Sequence, residues 1–267
     1  GKCTTMQTVL CEVDQRGIAR VTLNNPDKHN AFDDAIIGEL TAVFSAIADN
    51  PAVRVMLLAA TGKSFSAGAD LNWMQRMTNY SYAENLRDSQ ALAEMLRVLN
   101  FMPQPTIARV QGAAYGGAVG LISCCDIAIA ASAATFALSE VKIGLLPATI
   151  SPYVINAIGQ RAARRYFTTA ELFNAQRAQE IGLVSEVVDA EHLDEKIEEV
   201  IARLLGNSPA AIKAAKQLIF DVAGKAIDEQ LIEQTCATIA AIRVSPEGQE
   251  GLQAFLAKRK PNWLLKD

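Results

Sequence analysis

Histidine is nearly absent from this chain of 267 residues, which holds only His29 and His192. With no Cys/His spacing around them, that scarcity argues against a metal centre. Cysteine is sparse as well: five in a chain this long do not make a disulfide framework. Cys124 and Cys125 stand side by side in an apolar run. That pair reads as core packing in a reducing, cytoplasmic setting. An excess of positive charge is missing, with 25 Lys and Arg against 29 Asp and Glu and a net charge of −4. A nucleic-acid partner is thereby disfavoured, and the short KRK run at Lys258–Lys260 does not alter this. No apolar run reaches about 18 residues, so no membrane span is expected. The opening GKCTTMQ has no apolar core of a leader peptide. Nucleotide and nucleophile motifs are lacking too. TGKS at Thr61–Ser64 resembles the end of a phosphate loop, but the full pattern needs glycine where Leu57 stands. GGAVG is not a dinucleotide fingerprint, and no G-x-S-x-G elbow occurs.

What is present is an alternation of strands and helices. VLCEVDQRG and IARVTLNN predict two strands around a turn at Gly17. DAIIGELTAVFSAIAD has helical apolar spacing, with Asp33 or Asp34 as N-cap. VRVMLLAAT, PTIARVQG and DIAIAAS predict buried strands, GKSFSAGAD a loop, and residues 82–101 a helix. This pattern holds to about Val188 and predicts an α/β class. From Glu191 it turns helical almost to the end. Ser208-Pro209 and Ser245-Pro246 each place a cap before a proline at the first helical position. The expected division is a core of 1–205 and a helical region of 206–267.

Two glycine loops could do chemistry: SAGAD at Ser66–Asp70 and YGGA at Tyr115–Ala118. AAYGGAVGLISCCD, Ala113–Asp126, reads as the start of a helix. Exposed N–H groups at a helix start attract negative charge. Each loop alone is more often a tight turn. Together they could aim two N–H groups at one oxygen, as an oxyanion hole requires. Glu140, in FALSEVKIGLLP, has apolar neighbours. Two readings stay open for it: an acid or base with a raised pKa, or a surface glutamate paired with Lys142. Gly120 is an oddity, since glycine inside a helix costs about 1 kcal/mol against alanine.

Six segments taken in order resemble the crotonase superfamily, the enoyl-CoA hydratases and isomerases. They are NNPDKHNAF, KSFSAGADL, VQGAAYGGAVG, DIAIAASAATFALSEVKIGLLP, RAQEIGLVSEVV and EGLQAFLAKRKPNW. The resemblance spans nearly the whole chain. It implies a spiral of ββα turns followed by C-terminal helices that mediate trimerisation, in trimers or pairs of trimers. It implies an acyl-CoA thioester substrate, and no cofactor beyond the CoA that the substrate carries. By similarity, the N–H groups of Ala69 and Gly117 form the oxyanion hole, with Gly116 beside them, and Glu140 is the catalytic carboxylate. Ala67, Gly68, Asp70 and Leu71 match the loop that cups adenine and pantetheine. Lys28 matches a position that contacts the CoA nucleotide. Lys258 matches one that reaches the nucleotide of a neighbouring subunit. Either lysine could equally be a solvated charge.

The sequence departs from the two-glutamate hydratases at Gly120, where their first glutamate would stand. The missing side chain leaves room for a larger or charged acyl group, or for water held by Ser139, Ser151 or Tyr115. A single glutamate also suits a Δ3,Δ2-enoyl-CoA isomerase, and a silent CoA-thioester binding protein is a further alternative. ADLNWMQRM, GAAYGGAVGLISCCD and LSEVKIGLLPATISPYVINAIG look like the bacterial 3-methylglutaconyl-CoA and carboxygeranoyl-CoA hydratases. This favours hydration of a branched, dicarboxylic 2-enoyl-CoA. Arg76 or Arg87 would then pair with the second carboxylate, although each also fits an exposed helix. Trp73, Met74, Met77, Ala148 and Ile150 would set the acyl pocket.

Overall fold

A computed structural model describes residues 8–264 of the chain. β1 (Val9–Val13) and β2 (Ile18–Leu23) pair antiparallel across the turn at Gly17. α1 (Asp34–Ala48) starts where the Asp33 carboxylate accepts the Ile36 N–H at 2.8 Å. It buries Ile36, Ile37, Leu40, Val43, Phe44 and Ile47, one apolar stripe at helical spacing.

Three turns of the same kind follow. The first is β3 (Val55–Ala60), β4 (Ser64–Ala67), α2 (Leu71–Met77) and α3 (Tyr82–Asn100). The second is β5 (Thr106–Val110), β6 (Ala113–Tyr115) and α4 (Gly117–Cys124). The third is β7 (Ile127–Ala131), β8 (Thr135–Ala137) and α5 (Ser151–Thr169). In each turn the first strand joins a six-stranded sheet and the second joins a four-stranded one. β9 (Phe173–Asn174), α6 (Ala175–Glu180) and β10 (Glu186–Val188) complete these sheets. The sheet orders are β1-β2-β3-β5-β7-β10 and β4-β6-β8-β9. β3, β5 and β7 are parallel neighbours, as are β4, β6 and β8. This is the expected spiral of ββα turns. β3 is buried along its whole length, as a central parallel strand covered on both faces must be.

Two segments differ from expectation. GKSFSAGAD is not all loop, because Ser64–Ala67 forms β4. AAY at the head of AAYGGAVGLISCCD is strand β6, so the helix begins only at Gly117. Both strands are too short to show a period. They exist because parallel neighbours bond their backbones. Cys124 is buried, Cys125 half-buried and Cys236 exposed, all as free thiols. Cys11, buried on β1, is disulfide-bonded.

The described chain divides into two units, and α7 (Leu193–Leu205) runs from one into the other. The second unit takes Pro103–Pro105 and the chain from Glu198. It holds α8 (Pro209–Val222), α9 (Glu229–Val244) and α10 (Pro246–Leu256). Ser208 and Ser245 accept the Ala211 and Gly248 N–H groups, each at 3.1 Å, so both expected caps form. Lys216 Nζ donates to the Gln104 carbonyl at 2.9 Å within this unit. Many of its large apolar side chains are exposed, including Ile227 (85%) and Phe255 (82%). Among the described residues no helix is long and apolar enough to cross a membrane.

Candidate active site

The site begins with backbone. Phe32 donates its N–H to the Gly68 carbonyl at 3.0 Å and accepts the Asp70 N–H at 2.6 Å. In this parallel bridge the amides on either side of Ala69 face Phe32, so the Ala69 N–H points the other way. Buried Asn30 fixes the supporting segment. Its Nδ2 donates to the carbonyls of Thr61 (2.8 Å) and Ser64 (3.0 Å), and its Oδ1 accepts the Asn25 N–H (2.7 Å). Downstream, Asp70 caps α2, accepting the N–H groups of Asn72 and Trp73 at 2.9 and 3.1 Å.

The second amide belongs to Gly117, the first residue of α4, where a helix has no internal acceptor to offer. Gly116 N–H is spent on the Ala137 carbonyl at 3.0 Å, whereas no hydrogen bond is formed by Ala69 or Gly117 N–H among the described residues. Gly116 adopts φ +60°, a conformation that side chains rarely tolerate. Both free amides line one cavity of about 570 Å³.

Glu140 lines the same cavity. A Cβ on Gly116 would stand 2.9 Å from Glu140 Oε1, so the carboxyl lies directly over the glycine loop. Its Oε2 is buried without a hydrogen-bond partner. Burial pushes the Glu140 pKa above the ordinary carboxyl value, and a contact with its own backbone amide opposes this only in part. Lys142 lines the cavity but forms no ion pair with Glu140 among the described residues. The surface-pair reading is thereby overturned. The physical reason is the turn at 140–143, which tucks residue 140 inward.

The five expected pocket residues, Trp73, Met74, Met77, Ala148 and Ile150, all line this cavity. Gly68, Ala69, Gly116, Gly117 and Glu140 line it too, while Lys28, Ala67, Asp70 and Leu71 do not. Leu71 is 80% exposed. Lys28 Nζ reaches Asp70 Oδ2 at 3.4 Å, which brings two of the expected CoA-contact residues together. Lys258 lies past α10 in the second unit, exposed and with φ +55°.

Several expectations are corrected here. Gly120 opens no space for an acyl group: it is buried, does not line the cavity, and a Cβ there would meet Ile150 Cγ2 at 2.4 Å. The room left by the missing side chain is filled by Ile150. Arg76 lies outside the cavity lining, because both its NH groups donate to the Asp34 carboxylate at 2.8 Å. Arg87 is exposed and does not line the cavity either. Of the three polar candidates for holding water, only Ser139 lines it. Tyr115 Oη is bonded to Thr135 and Ser151 Oγ to the Ala148 carbonyl. What the sequence reasoning missed is the α3 face of Asn85, Asp88, Ser89 and Leu92. Their helical spacing was legible, but nothing in it said which side of α3 meets the cavity. Asp189, Glu191 and His192 approach one another as exposed side chains and do not line the cavity.

Chemically, the arrangement places two N–H groups without hydrogen bonds in one cavity, where backbone donors could meet a developing negative charge. It also offers a carboxyl of raised pKa to move a proton beside them, in an apolar enclosure. Removing one such donor typically costs about 3 kcal/mol of barrier stabilisation.

The family model described as "Enoyl-CoA hydratase/isomerase" matches residues 13–266. An enoyl-CoA hydratase structure from Shewanella pealeana superimposes with a TM-score of 0.94 at 47% identity, covering 97% of each chain. The crotonyl-CoA hydratase of Syntrophomonas wolfei is 30-odd per cent identical, at 31%, over 97% of this chain and 99% of its own. The 2,3-dehydroadipyl-CoA hydratase of Escherichia coli is 29% identical over 93% and 96%.

Proposed function

The chain belongs to the enoyl-CoA hydratase/isomerase family, and from that premise we propose that it adds water across the double bond of a 2-enoyl-CoA. The observation that carries this reading is the buried, unpartnered Glu140 Oε2 in one cavity with the free amides of Ala69 and Gly117. The thioester oxygen accepts both N–H groups and becomes an enolate oxygen as electrons leave the double bond. The dipole of α4 behind Gly117 favours that charge. Glu140, whose pKa burial raises above the ordinary carboxyl value, delivers a proton to C2 from its protonated form. Isomerisation at the same site would need only Glu140 to carry a proton between carbons.

Lys28, Ala67, Asp70 and Leu71 form the approach for the CoA moiety in this reading. Lys258 would serve the nucleotide of a neighbouring copy. The exposed apolar side chains of α8–α10 support assembly as a homotrimer or a dimer of trimers. For the acyl group, the reading is a branched dicarboxylic chain such as 3-methylglutaconyl-CoA. A relative whose name denotes a dicarboxylic enoyl-CoA supports it, and Lys142, the cation that lines the cavity, would meet the distal carboxylate.

The test is an assay panel of crotonyl-, 3-enoyl- and 3-methylglutaconyl-CoA scored by product mass. Gain of one water on the 2-enoyl thioesters, greatest for 3-methylglutaconyl-CoA, is expected. A product of unchanged mass from the 3-enoyl thioester alone would make the protein an isomerase. Light scattering of the purified protein checks the assembly.

A further inference from the structure

Hydration moves two protons: one leaves water as its oxygen bonds to C3, and one arrives at C2. Glu140 can deliver the second, which leaves the first without an agent from α4, because Gly120 has no side chain and Ile150 fills the space beside it. Two carboxylates line the cavity, Glu140 and Asp88. Asp88 comes from α3, on a face whose other polar members are already committed. Asn85 Nδ2 donates to the Ser81 carbonyl at 3.1 Å, and Ser89 Oγ donates to the Asn85 carbonyl at 2.9 Å. Asp88 Oδ2 accepts the Trp73 indole N–H at 3.0 Å, and no hydrogen bond among the described residues occupies Oδ1. Trp73 itself is buried and lies just past the Ala69 loop. The indole thus anchors one carboxylate oxygen of a cavity-lining residue and leaves the other unbonded among the described residues. Among the described residues Asp88 forms no ion pair, and Arg76, held by Asp34 in a bidentate pair, acts on it only at a distance.

We infer that Asp88 is the second carboxylate of the reaction, the base that holds the attacking water and takes its proton. This rests on the hydratase reading above. As the water oxygen bonds to C3, its proton passes to Asp88 and the π electrons move to the thioester oxygen. Glu140 then protonates C2 as the enolate collapses. Asp88 ends protonated and Glu140 ionised, and one proton returned through solvent restores both. Burial and Asp34 of α1 raise the Asp88 pKa, while the Trp73 donor and Arg76 of α2 lower it. Glu140 and Lys142 share its cavity. A carboxylate with a somewhat raised pKa is the stronger base for this step.

The experiment separates two half-reactions. Exchange of the α-proton of butyryl-CoA in D2O needs Glu140 and the two amides but no attacking water. Asp88→Asn keeps an oxygen for the indole N–H. It is expected to lower kcat for hydration by about 100-fold or more, with exchange retained and KM little changed. Its kcat/KM profile should lose the acidic limb that reports ionisation of Asp88. Trp73→Phe removes the indole donor and should move that limb to higher pH. Three outcomes overturn the inference: hydration by Asp88→Asn within a few-fold of wild type, an acidic limb unmoved in both variants, or a change confined to KM and dependent on acyl chain. The last would make Asp88 a specificity residue. If the wild-type protein hydrates nothing yet exchanges the α-proton, the hydratase reading itself falls.

Discussion

Gly116 and Gly120 lie a helical turn apart, at the head and in the body of α4, and a Cβ on either would collide with a neighbour. At Gly116 the collision is with Glu140 Oε1 at 2.9 Å, and φ is +60°. At Gly120 it is with Ile150 Cγ2 at 2.4 Å and Ile150 Cβ at 2.8 Å, on ordinary helical backbone. The head is glycine so that a carboxyl can approach a stretch of backbone whose Gly117 N–H is unused. The body is glycine so that α5 can seat its first residues against α4. Sequence alone shows two small residues of the same kind; the partner atoms separate a chemical role from a packing one.

Five single substitutions and one double variant probe this contrast, from the largest expected effect to the smallest. Gly120→Glu is expected to abolish folding, since the carboxylate would be driven into Ile150 with no partner. Gly120→Ala should cost about 1–3 kcal/mol through overpacking, with partial recovery in the Gly120→Ala/Ile150→Ala pair. Urea titration of the single and double variants reads this. Recovery of stability without recovery at Gly116 would confirm that the two positions answer to different neighbours.

Glu140→Gln tests the chemical end. Loss of its proton transfer should lower kcat by about 10²–10⁴-fold, read by steady-state turnover of the preferred enoyl-CoA. Stability should move the opposite way. The folded-state pKa of Glu140 is raised, so its favourable contribution is complete below the unfolded carboxyl value. It is lost as pH rises through the folded value. At neutral pH the Gln variant should therefore melt higher than wild type, with the gap closing toward acid pH. A Gln variant that melts lower at neutral pH would show that the carboxylate is paid for by a partner.

Gly116→Ala is the intermediate case. Backbone strain of about 1–3 kcal/mol is expected, together with a fall in turnover as the Gly117 amide and Glu140 are displaced. A variant that loses stability but keeps its kcat would erase the distinction drawn between the two glycines. Arg76→Ala should do least. Its bidentate pair with Asp34 is solvent-exposed and screened, so stability should barely change, and KM for 3-methylglutaconyl-CoA should stay within about twofold. A marked rise in that KM would return Arg76 to the acyl pocket.

Much of the fold was legible because its signals are local. The stripe of α1, the continuous apolar run of β3 and the Ser-Pro starts of α8 and α10 are written in periods and caps that need no distant partner. The short strands β4 and β6 were not legible, because a run of three or four residues has no period and becomes a strand only through its parallel neighbours. In the site, the two glycine loops and the pocket residues were visible as types at positions. Asp88 was not, because a helix shows the spacing of its faces but not which face meets a cavity.

The sequence by itself determined the backbone chemistry: where glycine permits close approach, where a helix starts with unused N–H groups, and that one carboxyl sits among apolar neighbours. The tertiary structure decided which of these groups share a space. It turned Glu140 inward and away from a partner, filled the gap at Gly120 with Ile150, bound Arg76 to Asp34, and turned Asp88 toward the cavity. Such outcomes depend on contacts between residues far apart in the chain, and burial raises a pKa only once those contacts have excluded water.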